Sequence, residues 1–195
     1  MSIPIERPLR ADARRNRERV LEAAKAVFSE QGREAQMDDV ARKAGVGVGT
    51  VYRHFPTKEA LVSALATSMF ETVLDHARAA LEIEDPWEAF TTALWRGGEI
   101  LASDRAFNEI VGQAQMPFSE EIQLEMLTVF SELLQRAKDS GDLRPDVVLD
   151  DIPMFMCGIG MATVKPHQCP GSWRRHLAII IDGLRAASAS GPLPS

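Results

Sequence analysis

The chain has 195 residues, of which 45% are apolar and two are cysteines, and its formal net charge is −6. This length suits one large or two small domains whose core is substantial enough that neither a disulfide framework nor a structural metal is needed for folding. No apolar run approaches the roughly 18 residues of a membrane-spanning helix, and the start MSIPIERPLR lacks the apolar segment of a secretory signal, so a soluble protein of the reducing cytoplasm is expected.

The charge is distributed unevenly along the chain. Residues 1–60 contain 12 Lys and Arg against nine Asp and Glu, a balance of +3, whereas residues 61–195 carry a balance of −9. A basic amino-terminal part joined to an acidic remainder favours approach to a polyanion such as DNA in one orientation.

Residues 1–11 are predicted to form a mobile arm, and a helix is expected from Arg14 to Gln31. Its apolar stripe comprises Val20, Ala24, Val27 and Phe28. Arginines cluster at its start, Arg14 and Arg15 among them. They suit either a solvated helix face or contacts with DNA phosphates, as the arms of other helix-turn-helix proteins make.

The stretch from Met37 to Phe55 predicts two short helices joined by a tight turn. In the first helix Val40, Ala41 and Ala44 recur at helical spacing, and Gly45 follows where a residue free to adopt positive φ ends a helix. The second helix, from Val48 to His54, is too short to be stable alone and needs a scaffold. This arrangement is typical of a helix-turn-helix.

The run VARKAGVGVGTVYRHFPTKEAL combines the pattern GV-x-x-G-T-x-Y-x-H-F with a following lysine, and it resembles the DNA-binding domain of the TetR family of bacterial transcriptional regulators. The resemblance covers about residues 14–62. It implies a repressor that binds a palindromic operator as a homodimer and is released by a small-molecule effector. The chain departs from the family pattern at Gly47, where Ser or Thr is common, and around Gln36, where Thr is common.

Within this motif the second helix carries groups suited to DNA. Arg53 matches the two acceptors of a guanine edge, and Thr50 and Tyr52 offer hydroxyls for phosphates together with a methyl group and a ring face for thymine. Gly47 and Gly49 allow the helix amides to approach a phosphate closely. The predicted DNA-binding residues are Arg14, Arg15, Gln36, Met37, Gly47, Val48, Gly49, Thr50, Tyr52, Arg53, His54 and Lys58, whereas Val40, Ala44, Val51 and Phe55 are assigned to packing.

The remainder of the chain predicts helix after helix and no strand. A helix capped by Thr57 runs to about Glu82, Asp85-Pro86 starts the next, and a shorter one contains Phe107, Ile110 and Val111. Further helices begin at Ser119, with the stripe Leu124, Leu127, Phe130, Leu134 and Ala137, at about Pro153 and at Ser172. We therefore predict an all-α fold with a helix-turn-helix domain at 1–57, a ligand-binding and dimerisation domain at 58–187, and a loose tail at 188–195.

Two surfaces of the second domain follow from the resemblance and from the apolar stripes. The candidate effector pocket, suited to a hydrophobic or aromatic compound, is lined by Trp95, Phe107, Met116, Phe118, Met126, Phe130 and Met154. Because the family dimerises through its last two helices, the candidate interface comprises Met154, Cys157, Met161, Trp173, Leu177, Ile180, Ile181 and Leu184.

Other classes of function are less well supported by the sequence. Cys157, His167 and Cys169 could in principle hold a metal in a small helical enzyme or metal-binding protein, but their spacing matches no usual zinc pattern and a fourth ligand is not evident. A pure interaction module would leave the polar second helix of the motif unexplained. We predict no catalytic residue, metal or cofactor.

Overall fold

The computed structural model of the chain describes residues 6–103, 119–164 and 172–194, with the side chains of 6–11, 33 and 161–164 left undescribed. Within these ranges there are eight α-helices, two short 3-10 turns and no strand, so the predicted all-α class is confirmed. The helices are α1 (Glu6–Gln31), α2 (Met37–Ala44), α3 (Val48–His54), α4 (Lys58–Leu81), α5 (Pro86–Ser103), α6 (Glu120–Asp139), α7 (Asp151–Val164) and α8 (Ser172–Leu184). None of the described helices is both long and apolar enough to cross a bilayer.

Three helices begin at the polar caps that the sequence predicts. Asp85 Oδ1 accepts a hydrogen bond of 2.7 Å from the backbone amide three residues later, and Pro86 occupies the first helical position. The hydroxyl oxygens of Thr57 and Ser119 accept equivalent bonds of 3.1 and 3.4 Å. Each cap satisfies an amide of the first turn, which has no acceptor within its helix.

The first helix is longer than predicted. It begins at Glu6, eight residues before the expected start at Arg14, so residues 6–11 are helical and do not form a mobile arm. Pro8 is compatible with this start because it lies in the first turn, where a missing N–H costs no intrahelical hydrogen bond.

The chain divides into two compact units between Ala66 and Thr67. This division lies inside α4, whereas the sequence prediction placed it before that helix. The start of α4 belongs to the first unit because Leu61 and Ala66 are buried there and Lys58 Nζ lies 5.6 Å from the ring centroid of Phe28 in α1.

Both units have apolar cores built from helical stripes. In the first unit the buried side chains include Val20, Ala24, Val27, Phe28, Val40, Ala44, Val51, Phe55 and Leu61, which confirms the packing roles predicted within the motif. The core of the second unit includes Leu74, Phe90, Leu94, Phe130, Leu133, Ile159, Trp173, Leu177, Ile181 and Leu184. On α6, Leu124 and Leu127 are exposed, although the sequence assigned them to the same buried stripe as Phe130.

A pair of glycines allows close helix packing in the second unit. An added Cβ at Gly97 would lie 2.9 Å from Met156 Cε, and one at Gly98 would lie 2.8 Å from the ring of Trp173. The side chains of α7 and α8 therefore pack directly on the backbone of α5, where no larger residue fits without displacement.

The described residues of the predicted loose tail are held in place. Arg144 is buried, bonds to Asp146 through two nitrogens at 2.6 and 2.8 Å, and donates to Gly191 O at 2.6 Å. The amide of Leu193 donates to Asp146 Oδ2 at 2.8 Å. These bonds tie residues 191–193 to the segment between α6 and α7, so the prediction of a loose tail is wrong for them.

Candidate nucleic-acid interface

The turn between α2 and α3 is held by its own backbone. Gly45 adopts φ +64° and ψ 39°, the left-handed conformation that glycine enters without strain. Its amide donates to Arg42 O at 3.2 Å, and the amide of Val46 donates to Ala41 O at 3.1 Å. This pair of bonds is a Schellman motif, which ends α2 and directs the chain into α3.

Helix α3 places the predicted contact residues on its outer side. Val51 is its one buried residue and faces the core. Tyr52 and Val48 are 47% and 42% exposed, and they share a face because they are four residues apart. Arg53 and Gly49 are also exposed, and Thr50 and His54 are half-buried. A short helix with one anchor and a polar, aromatic outer face suits insertion into a major groove.

The amino-terminal end of α3 is free of side chains. Gly47 precedes the helix with extended backbone, φ −67° and ψ 144°, and no side chain caps the first turn. An added Cβ at Gly47 or Gly49 would meet nothing within 4 Å. The fold therefore does not require glycine at either position, whereas close approach of a DNA phosphate would.

The amino-terminal end of α2 only partly agrees with the prediction. Gln36 is exposed and precedes α2, but its amide nitrogen donates to Glu34 O at 2.9 Å and does not contact the helix. Met37 is only 6% exposed, so its side chain packs in the core and cannot contact DNA. Met37 is therefore corrected to a packing residue. Only its backbone amide, in the first turn of α2, is left as a possible contact with DNA.

Three of the predicted basic residues, Arg14, Arg15 and Lys58, have intramolecular partners. Arg14 lies 3.6 Å from Glu18, and Arg15 pairs with Asp12, both along the exposed side of α1. Exposed ion pairs of this kind contribute little to stability, so these arginines can exchange a carboxylate for a phosphate at small cost. Lys58 lies over the ring of Phe28 as described above.

Two arginines of α1 have structural roles that the sequence did not reveal. Arg19 Nη2 donates to Ala44 O, the last residue of α2, at 2.7 Å. The guanidinium carbon of Arg17 lies 5.3 Å from the ring centroid of Phe55, just after α3. No local pattern marks either contact, because the partners are separated by 25 and 38 residues in the chain.

The predicted effector pocket is not assembled by the described residues. Phe130 belongs to the core of the second unit, Trp95 and Met126 are half-buried against that core, and Met154 is 73% exposed. Phe107, Met116 and Phe118 lie outside the described residues. Met154 faces solvent in the single chain, so the described residues give no support for it as a pocket wall.

A cavity of about 400 Å³ lies elsewhere in the second unit, beside α4 and α6. Arg78 is among its lining residues and is bonded to Asp75 at 3.2 Å and to Glu125 at 2.7 Å. Its lining residues are Thr67, Glu71, Leu74, Asp75, Arg78, Ser119, Glu121, Ile122 and Glu125. The sequence analysis assigned none of these residues to a pocket, because most of them are polar or charged and the predicted pocket was built from apolar residues.

Half of the predicted dimer interface lies inside the chain. Four of its eight residues belong to the core of the second unit and are corrected to core positions: Trp173, Leu177, Ile181 and Leu184. Ile180 is half-buried, and the side chain of Met161 lies outside the described residues. Met154 and Cys157 are exposed, as an interface requires.

The solvent-facing sides of α7 and α8 carry exposed apolar and small residues, beside the exposed charges of Arg175 and Asp182 on α8. On α7 the exposed positions recur at helical spacing and include Met154, Cys157 and Gly158. On α8 they include His176, Ile179 and Gly183, and Ile179 is 60% exposed. We call these six residues the α7–α8 face. An exposed apolar surface of this kind is typical of an interaction site.

The metal hypothesis gains no support from the described residues. Among them no group of three or more His, Cys, Asp and Glu side chains could hold a metal ion. Cys157 is exposed, and His167 and Cys169 lie outside the described residues.

Two family models match the chain. One, for bacterial regulatory proteins of the tetR family, matches residues 20–65, and the other, for the C-terminal domain of SbtR-like transcriptional regulators, matches residues 85–186. The second match alone spans just over half of the chain.

Several known proteins are similar to the chain. A TetR transcription regulatory protein of Mycobacterium vanbaalenii, whose crystal structure is known, is 37% identical with a TM-score of 0.62 over 91% of this chain and 99% of that one. The HTH-type regulator TtgW of Pseudomonas putida is 43% identical over 86 residues, which are 43% of this chain and 63% of TtgW. The chain thus spans less than two thirds of the length of TtgW. The HTH-type transcriptional repressor KstR2 of Mycolicibacterium smegmatis is 23% identical over 86% of this chain and 90% of KstR2.

Proposed function

Because the chain belongs to the TetR family of bacterial transcriptional regulators, we propose that it is a cytoplasmic repressor that binds a palindromic operator as a homodimer and is released by a small-molecule effector. Repression is supported by the similarity to KstR2, which is named a repressor. No catalytic or metal-dependent activity is proposed.

The outer face of α3 is the observation that carries the proposal. Tyr52 and Val48 are exposed on one face, Arg53 is exposed beside them, and Val51 anchors the opposite face in the core. A fold gains nothing from a large exposed tyrosine in a seven-residue helix, whereas a DNA groove would cover its ring. In this proposal Arg53 donates to a base edge, the hydroxyl of Tyr52 donates to a phosphate, and the free amides of α3 bind a neighbouring phosphate.

The experiment that tests DNA binding compares two variants at Tyr52. Wild-type protein is footprinted on duplex sites selected from random sequence, at physiological salt, beside Tyr52→Ala and Tyr52→Phe. Because Tyr52 is exposed, both variants should fold as the wild type does. Tyr52→Ala should lose the specific site, and Tyr52→Phe, which keeps the ring, should lose only the part of the affinity that the proposed hydrogen bond from the hydroxyl to a phosphate supplies. Undiminished protection by Tyr52→Ala would contradict the assignment of α3 as the recognition helix.

The homodimer proposal is supported by the α7–α8 face. A two-fold axis beside this face would pair each helix with its copy and cover Met154 and Ile179 on both chains. Gly158 and Gly183 would permit a close approach of the helices. Two α3 helices brought into successive major grooves, about 34–36 Å apart, then require a palindromic site.

Effector release is the part of the proposal that concerns the second unit. A ligand that binds the DNA-incompetent state more tightly shifts the population away from DNA. The half-buried Trp95, whose ring meets Trp173 edge-on with centroids 6.1 Å apart, supports an aromatic or hydrophobic effector. Tryptophan fluorescence during titration with aromatic compounds, measured beside release of bound DNA, tests this chemistry. A compound that releases DNA without altering this fluorescence would place the effector elsewhere.

A further inference from the structure

The recognition segment, which we define as Gly45–Phe55, contains few interactions of its own that could fix its orientation. Its helix has seven residues and a single buried side chain, Val51. A helix of two turns does not form stably by itself in water, because the unfavourable free energy of nucleating it exceeds the stabilisation from its few hydrogen bonds. The orientation of α3 must therefore be fixed from outside the segment.

Just before the segment begins, Arg19 attaches Ala44 to α1. The Schellman bonds satisfy the carbonyls of Ala41 and Arg42, which leaves the carbonyl of Ala44 for another donor. The guanidinium of Arg19 supplies that donor over 2.7 Å. A cation at this point also faces the negative end of the α2 dipole, so the bond is charge-assisted.

At its end, the segment is attached to α1 by Arg17. The guanidinium carbon lies 5.3 Å from the ring centroid of Phe55, within the range of a cation–π interaction. Phe55 is buried and its amide donates to Val51 O at 2.8 Å, so it closes the last turn of α3. Two residues of one helix thus contact the chain just before the turn that leads into α3 and immediately after α3.

We propose that Arg17 and Arg19 are positioning residues that clamp the recognition segment on both sides, at Ala44 and at Phe55, and so determine operator affinity without contacting DNA. This inference rests on the proposed DNA-binding function. It separates these two arginines from Arg14 and Arg15, whose exposed ion pairs leave them suited to phosphates.

The salt dependence of binding distinguishes positioning from phosphate contact. An arginine that neutralises a phosphate contributes about 0.9 to the slope of log K against log salt, whereas a positioning residue contributes nothing to it. Arg19→Ala and Arg17→Ala should each weaken operator binding by about tenfold with the slope unchanged. The matched control Arg14→Ala should reduce the slope. Arg19→Lys, which keeps one charged donor, should recover part of the affinity.

Amide hydrogen exchange provides a second readout that needs no DNA. In Arg19→Ala the amides from Val46 to Val51 should exchange faster than in the wild type, while those of α6 should not change. Arg14→Ala should leave both sets unchanged. All variants are compared at a temperature where circular dichroism shows them fully folded.

The outcomes separate the inference from the function on which it rests. A reduced salt slope in Arg19→Ala, or affinity within twofold of the wild type, would overturn the clamp. If the wild-type protein selects no site from random duplexes, the proposed function fails, and the exchange rates alone then decide whether the clamp exists. Unchanged exchange in Arg19→Ala would overturn it in that case.

Discussion

Single glycines in the motif are present for different physical reasons. Gly45 has φ +64°, and an added Cβ would lie 3.3 Å from Arg19 Nη2, so the turn itself requires glycine. Gly49 is exposed, and an added Cβ would meet nothing within 4 Å. Sequence alone shows the same residue type at both places and cannot tell which one serves the fold.

Alanine substitution should distinguish the two glycines. Gly45→Ala should lower the free energy of unfolding by roughly 1–2 kcal/mol, because a side chain in the left-handed region is strained. Gly49→Ala should raise it by roughly 0.5 kcal/mol, because alanine favours a helix more than glycine. The added methyl group should nevertheless weaken operator binding by blocking close approach of a phosphate. Urea titration and binding to the selected site measure the two effects. A Gly49→Ala variant with full DNA affinity would contradict the proposed contact.

At the scale of helices, sequence predicts where elements begin more reliably than what they pack against. The caps at Asp85 and Ser119 are local patterns, and the structure has both. The stripe that includes Trp173 and Leu177 correctly indicates a buried face of α8, but it lies in the chain's own core and not in the interface to which it was assigned. A periodic pattern of apolar residues indicates that one face of a helix is buried, but it does not identify the element or chain that buries it.

The sequence likewise could not predict what the carboxyl-terminal residues contact, because Asp146 and Leu193 are 47 residues apart and no local pattern links them. The hydrogen bonds from Arg144, and then that from the amide of Leu193, hold the pKa of Asp146 well below its ordinary value of 3.8. A carboxylate whose pKa is lowered by folding stabilises the folded state above the ordinary pKa, and this contribution is lost as the pH falls through the folded-state value.

Asp146→Asn should therefore release residues 191–193. At neutral pH their amide exchange, above all that of Leu193, should be faster than in the wild type, and the unfolding temperature should be lower. The difference in unfolding temperature should shrink as the pH falls below 3.8, because the Asp146 carboxylate of the unfolded wild-type chain then binds a proton while that of the folded chain is still ionised. Asp150→Asn, at an exposed residue nearby in the chain, serves as the control. A difference that grows on acidification would contradict the role of the ionised carboxylate.

At the scale of the whole molecule, the proposed repressor depends on two copies acting together. Met154→Glu with Ile179→Glu would place four carboxylates in the proposed interface, where burial and mutual repulsion oppose ionisation. Both residues are exposed in the single chain, so the fold should survive while sedimentation velocity shows monomers. Leu124→Glu with Leu127→Glu is the matched control, because these exposed residues of α6 lie outside the α7–α8 face.

The DNA affinity of the same variant tests why a dimer is needed at all. When two recognition helices are linked, the second binds at a high effective concentration, which typically raises avidity by about 100-fold or more. The monomeric variant should lose at least that factor on a two-half-site duplex and almost none on a single half-site. If the α6 control forms monomers and the Met154 and Ile179 variant remains a dimer, the copies meet through α6. The apolar surface of α7 and α8 would then need a different partner.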